Sequence, residues 1–262
     1  MVKIGAIGDN GIDDYVDLGI KHVGGNALNV AMYVKRQGGY VIYAGVTGND
    51  ENGELIRNTV KEKGLDKLMI KTGDGPSAVN VIELVNNNRV FKDYIEGVLT
   101  QFSLTEDEIE ELGKCDIVVS SVWSYADDYF KPISEKGAKT AMDFSTELES
   151  PVIDKIGPYL DYAFFSFEEG DNYDLEDYMK KVKDKIKGMV IVTRGEDGSV
   201  AYDGKEFTYH GIEPCEVVDT LGAGDSFIAG FLFGMASGMT IKESMINGAK
   251  NSSITIAYEG AW

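Results

Sequence analysis

The stretch 217–231, VVDTLGAGDSFIAGF, carries Asp219 and Asp225 around the small residues Gly222-Ala223-Gly224, directly before an apolar run that reads as a helix. An aspartate at a helix start is ordinary, because a carboxylate caps free N–H groups there. Glycines crowded just before it are less so. Each costs backbone entropy, and together they mark an unusual turn or the close approach of a ligand. A glycine-rich loop running into a helix presents successive amides at the positive end of the helix, which is a hole for an anion. It suits a phosphate, or the charge that develops on a phosphoryl group in flight. A carboxylate beside such a hole is wasteful for holding phosphate. It makes sense as a general base for a hydroxyl that attacks the phosphoryl group. On this reading Gly222, Ala223 and Gly224 form the anion hole and Asp225 is the base. The strict G-x-x-x-x-G-K-[ST] loop is absent, which disfavours a P-loop nucleotidase.

Chemistry of this kind needs a scaffold that brings several loops to one edge. KIGAIG is a short apolar strand, NALNVAMYVKRQG a helix closed by Gly38, YVIYAGV a strand, NGELIRNTVKEKG a helix and DKLMI a strand. This βαβ rhythm predicts an α/β fold with a mostly parallel central sheet flanked by helices. The rhythm breaks at 76–97, where SAVNVIELV and RVFKDYIEG flank an Asn turn with no crossover helix. That is a hairpin, and with residues near 12–23 it predicts a small β lid over one end of the sheet. DIVVSS, KTAMDF, DYAFFS and GMVIVTRG resume the strands, separated by helical stretches near 105–113, 125–136 and 172–187. SVAYDG-KEFTYHG is a second hairpin, and helices over 223–237 and 241–257 close the chain. The whole of 1–262 reads as a single domain with lid elements.

In open α/β sheets ligands sit outside the C-terminal ends of the strands. Asp9, Asp13, Asp143, Ser166, Glu169, Thr193 and Gly195 all fall there. Each alone is an ordinary turn or cap residue. Their coincidence at one edge marks a site.

Composition narrows the partners. Asp and Glu outnumber Lys and Arg 44 to 25, for a formal net charge of −19. Such a chain is a poor candidate for non-specific nucleic-acid or anionic-membrane binding, and it must hold an anionic ligand by a local device. The two cysteines, Cys115 and Cys215, are in no metal-like spacing, and the N-terminal apolar stretch is too short and acid-flanked for a signal peptide. No stretch approaches the roughly 20 apolar residues of a membrane span. A cytoplasmic enzyme is the expectation. Two histidines leave little material for a His-based metal site or a Ser-His-Asp triad.

DTLGAGD resembles the D-T-x-G-A-G-D signature of the ribokinase-like (PfkB) carbohydrate kinases. GGNALNVA at 24–31 resembles that family's glycine-asparagine sugar motif, GVTGNDENG its G-x-x-G-x-D-x-x-G stretch, and TRGEDG its T-x-G-x-x-G phosphate loop. The motifs come in the family's order and span essentially the whole chain. The resemblance implies a ribokinase-like fold and an ATP- and magnesium-dependent kinase acting on a primary hydroxyl of a sugar. The runs NRVFKDYIEGV and YEGAW narrow the resemblance to the branch that phosphorylates fructosamines. Alternatives are a kinase for another sugar or a nucleoside, and a non-catalytic sensor on the same fold, against which the intact Asp225 argues.

By the same resemblance Asp13, Gly24, Gly25, Asn26 and Asn29 bind substrate, joined by Asp9 and by Arg89 of the hairpin. Thr193, Arg194, Gly195, Gly198 and Asp219 meet nucleotide phosphates, and Asn247 and Asn251 lie near adenine. Glu169 would order magnesium-bound water. Here the chain departs from the family's N-x-x-E, with Ser166 in place of Asn. The lid segments also carry Asp14, Asp17, Glu83, Asp93 and Glu96. One or more of these carboxylates facing the site would favour a cationic sugar conjugate over a plain sugar. The lid's exposed edge is also where a second copy of the chain would pair to give a homodimer.

Overall fold

The computed structural model describes residues 1–85, 88–168 and 174–262, with backbone alone at 84–85 and 88–91. The first half runs β1 (Lys3–Ile7), β2 (Gly11–Tyr15), β3 (Ile20–Gly24), α1 (Asn26–Arg36), β4 (Tyr40–Thr47), α2 (Glu51–Glu62), β5 (Lys67–Thr72), β6 (Val79–Val85) and β7 (Asn88–Ile95). Then come α3 (Glu106–Leu112), β8 (Ile117–Ser121), α4 (Phe130–Glu135), β9 (Lys139–Asp143), α5 (Val152–Ile156) and β10 (Tyr162–Ser166). The chain closes with α6 (Leu175–Lys183), β11 (Met189–Thr193), β12 (Ser199–Tyr202), β13 (Phe207–His210), α7 (Ala223–Ala236) and α8 (Ile241–Thr255).

Nine strands form the central sheet in the order β13-β12-β11-β10-β9-β8-β1-β4-β5. All neighbours are parallel except β11–β12 and β12–β13. Parallel strands covered on both faces read as apolar runs, and β1, β4 and β8 through β11 do so. Side chains of α1, α2, α7 and α8 pack on one face, and those of α3, α4, α5 and α6 on the other. Helix starts follow local chemistry. Asp50 caps α2 by accepting from the Gly53 N–H at 2.8 Å, and Thr105/Glu108 and Thr240/Glu243 form capping boxes on α3 and α8. The helix expected over 125–136 is a 3₁₀ turn at Asp127–Tyr129 followed by a short α4. The one expected over 172–187 begins at Leu175, since Asp174 accepts from the Asp177 N–H and caps it there.

The hairpin does join residues 11–24. Together they form a separate four-stranded sheet, β3-β2-β6-β7. Its register places His22 opposite Asp13, Asp13 opposite Asn80 and Asn80 opposite Tyr94. Residues directly opposite share a face, so these four form one row across the small sheet. Ile12 and Val79, from the other face, are buried with Leu28 and Ile56 in the main core. Among the described residues no helix is long and apolar enough to cross a membrane.

Candidate active site

The start of α7 lies outside the C-terminal ends of the central strands, as the phosphoryl-transfer reading requires. Gly222 is its N-cap, at φ 73° in the left-handed region. A Cβ there would also stand 2.2 Å from Tyr33 Oη, so both backbone and neighbour demand glycine. Asp219 shapes the approach. Its Oδ1 accepts from the Leu221 N–H at 2.9 Å and its Oδ2 from the Gly260 N–H at 3.0 Å, tying the loop to the C-terminal segment. Within the loop the Ala223 N–H donates to the Thr220 carbonyl at 3.2 Å. The anion hole is therefore left mainly to the other amides of the turn. A Cβ at Gly224 would meet nothing within 4 Å. This side of the helix start opens on a cleft of about 250 Å³ bounded by Asn26, Asp143, Ser166, Thr193, Gly222 and Asp225, among others.

Asp225 sits in the first turn of α7 and is 8% exposed. Its carboxylate does not cap its own helix. Oδ2 accepts instead from Asn29 Nδ2 on α1 at 2.8 Å. Asn29 Oδ1 in turn accepts from Trp262 Nε1 at 2.7 Å. An indole N–H can only donate, so Trp262 fixes which way the Asn29 amide points, and its NH₂ is left for Asp225. Burial, then the charge of Asp143, hold the Asp225 carboxyl well above the usual range. The Asn29 hydrogen bond partly offsets this, and Asp9 and Asp13 add to it.

Asp143 ends β9. Its Oδ2 accepts from Asn26 Nδ2 at 3.1 Å and its Oδ1 from the Ser145 N–H at 2.8 Å. Burial raises its pKa to about 6 against the pull of those two bonds, with Asp9 adding to the rise. Asp13, on the small sheet, stands near enough for its charge to act on Asp225. Its Oδ1 accepts from Asn80 Nδ2 at 2.7 Å, and Gly24 lies close enough that a Cβ would be 3.0 Å from its Oδ2.

Several expected site residues have other work. Asp9 accepts from the N–H groups of Asn26 at 2.6 Å and Ala27 at 3.1 Å, and from the hydroxyls of Ser121 and Ser124 at 2.7 Å each. It is the remote cap of α1. Gly25, at φ 112°, would place a Cβ 2.5 Å from Asn10 Cα, so its role is to let β1's loop approach α1. Asn247 and Asn251 do not reach the cleft. Asn247 Nδ2 donates to Gln37 Oε1 and the Gly230 carbonyl at 2.8 and 2.7 Å. Asn251 binds Arg36 and the Ser226 carbonyl at 2.6 Å each. The reason is that α7 and α8 cross closely at Gly230 and Gly248, which turns this face of α8 inward.

Thr193 and Ser166 stand on the far wall, with Thr193 Oγ1 3.4 Å from Ser166 Oγ. Arg194 folds back on the Asp197 carbonyl at 2.9 Å over the exposed Gly195. A Cβ at Gly198 would meet the His210 carbonyl at 2.2 Å, so that glycine serves the approach of β13. Glu169 and the side chain of Arg89 lie outside the described residues. Among the described residues no cluster of His, Cys, Asp or Glu could by itself hold a metal ion.

Sequence reasoning misses Asn80, Tyr33 and the Ser121/Ser124 pair, and meets Trp262 only as the end of the YEGAW run. The serines leave a local trace, as SSVWS at a strand end. The others matter through partners far away in the chain.

Comparison with known proteins agrees with this geometry. A family model described as pfkB family carbohydrate kinase matches residues 15–262. A fructoselysine 6-kinase of Shigella flexneri is 41% identical over the whole of both chains, and that of Escherichia coli K12 is 40% identical over the same span. Among solved structures, a ribokinase of Arabidopsis thaliana complexed with ribose and ATP superposes with a TM-score of 0.88. It is 20% identical, over 99% of this chain and 93% of that one.

Proposed function

The chain belongs to the pfkB family of carbohydrate kinases, and from that premise we propose that it transfers the γ-phosphoryl group of ATP to a primary hydroxyl of a fructosamine, turning fructoselysine into fructoselysine 6-phosphate. The full-length relatives of that name support the substrate. The observation that carries the reaction is the Asp225 carboxylate, held by Asn29 beside the open start of α7.

In this mechanism the acceptor hydroxyl lies between Asp225 and the α7 amides. Asp225 takes its proton as the oxygen attacks phosphorus, and ADP leaves. A carboxylate with a raised pKa is a better base for that step near neutral pH than an ordinary one. Asn29, held by Trp262, keeps one oxygen of the base occupied and turns the other toward the hydroxyl. The amides of Gly222, Gly224 and Asp225 hold the non-bridging oxygens of the phosphoryl group. Asp13, Asn80 and Asn26 supply the polar contacts for the sugar. Bound with ATP, magnesium would shield the phosphate charge. With Glu168 lining the cleft and no three-carboxylate cage among the described residues, the donor set suits an ion held mostly by phosphate oxygens and water. The exposed apolar side chains of Ile212, Val217 and Val218, just before the α7 loop, offer a surface for the nucleobase.

An ADP-release assay across fructosamines, hexoses, ribose and nucleosides tests this. The expected result is turnover dependent on magnesium and fastest on fructoselysine. No ADP release with any acceptor would overturn the kinase mechanism. A preference for ribose or a nucleoside would overturn the substrate alone.

A further inference from the structure

The outer end of the row on the small sheet holds an aromatic side chain with no place in the core. Tyr94 shares its face with Asp13 and Asn80 and is 49% exposed. At roughly 4.8 Å per strand it lies about 10 Å from Asp13, two strands away. Just past the end of β7, Glu96 accepts a hydrogen bond from the Tyr125 hydroxyl. Tyr125 belongs to the loop after β8, at the C-terminal edge of the central sheet, so this bond joins the two sheets. Tyr125 holds φ at 53° and is 45% exposed. Trp123 on the same loop is also exposed, and its N–H donates to the Ser121 hydroxyl that helps to hold Asp9. Among the described residues Glu96 makes no ion pair with a lysine or arginine. Burial first, then the charges of Asp9 and Glu96, raise the pKa of the Tyr94 hydroxyl.

Aromatic rings beside an uncompensated carboxylate are a chemistry for cations. A ring face attracts an ammonium group, and the carboxylate attracts it further. A glycated amine carries such a group at the end of its ketose opposite the primary hydroxyl. With that hydroxyl at Asp225 and the sugar along Asp13 and Asn80, the amine end leaves the cleft on the Tyr94 side. The spacing along the row, about 10 Å, is of the order of a six-carbon chain with its amine.

We propose that Tyr94, Glu96 and Tyr125 form the subsite for the ammonium-bearing part of the phosphoryl acceptor, and that they set the preference for a glycated amine over the free ketose. This rests on the fructosamine reading above. The test compares kcat and KM for fructoselysine and fructose in wild type, Glu96→Gln and Tyr94→Leu. Each variant should raise KM for fructoselysine about tenfold, the equivalent of about 1.4 kcal/mol. Its kcat, and both constants for fructose, should stay near wild type, and unchanged fructose turnover also certifies the fold. Variants that keep the full wild-type preference, or that lose both substrates equally, would overturn the subsite and leave the function standing. A wild-type enzyme with no preference for fructoselysine would overturn the fructosamine reading and the subsite together.

Discussion

Helices α1 and α7 begin alike and end up with opposite duties. Each has glycine at the N-cap with positive φ, 112° at Gly25 and 73° at Gly222, and neither has a side-chain cap of its own. At α1 the first amides are taken by Asp9, a carboxylate from another part of the chain. At α7 the aspartate of the first turn looks away to Asn29 of α1, and the Gly224 side faces open cleft. A helix start is an anion site by nature. Which one serves a ligand depends on whether the fold has already supplied the anion. The two starts are also coupled, because the residue that aims the Asp225 carboxylate rides on the helix that Asp9 anchors.

The sharpest way to break this comparison is to make the same change at both. Asp225→Asn should lower kcat by about 10²–10⁴-fold, the usual worth of a general base, while the melting temperature holds or rises as a buried charge is removed. Asp9→Asn offers an NH₂ where four donors converge, and should cost about 1–3 kcal/mol of stability, read by denaturant titration. If Asp225→Asn unfolds the protein, or Asp9→Asn leaves stability untouched, the assigned duties are wrong.

Adding a side chain to a glycine at each start makes the next test. Gly224→Val puts a branched side chain into open space that a phosphoryl group would need. Turnover should fall by roughly a hundredfold, the scale of a lost oxyanion contact, with little change in melting temperature. Gly25→Ala meets Asn10 backbone in a conformation that L-residues avoid, so its melting temperature should fall instead. Thermal melts and steady-state rates on the two variants decide, and a Gly224→Val variant that melts early would make that glycine structural.

The smallest effect is on pH. The Asp143 pKa is about 6 in the fold against a usual 3.8. The folded state is then the better proton binder, so this group costs stability above pH 6, and that cost disappears as pH falls toward 4. Its full size is about 3 kcal/mol at most. Asp143→Asn should therefore raise the melting temperature by a few degrees at pH 8 and by only about a third as much at pH 4.5. With one repelling charge gone, the acid limb of kcat/KM, set by Asp225, should move to lower pH. An acid limb that stays put would detach Asp143 from the base.

The start of α7 is legible in the sequence because its cause is local: glycine, alanine and aspartate within four positions, then an apolar run. The β-strands are legible for the same reason, as is the pairing of the hairpin with residues near 12–23. What is not legible depends on which face of an element meets its neighbour. Asn247 and Asn251 sit on a helix near the end of the chain, as a nucleotide wall requires. Only the close crossing at Gly230 and Gly248 reveals that their side turns inward. Asp9 stands at a strand end like a ligand-binding residue, and two serines more than a hundred positions away make it a cap. Trp262 closes the YEGAW run, but its role is not legible there, since its meaning is its bond to Asn29.

The buried carboxylates Asp143 and Asp225 have one more consequence, in the bookkeeping of protons. With both pKa values raised, that of Asp143 to about 6, the two carboxylates keep their protons to higher pH than ordinary ones do. A cationic group brought beside them favours the ionised forms and sheds protons, whereas a phosphate favours the protonated forms and takes protons up. The buffer absorbs or supplies the difference. The heat of binding then includes the buffer's own heat of protonation, and affinity measured at pH 6 differs from that at pH 8 though every contact with the ligand is the same.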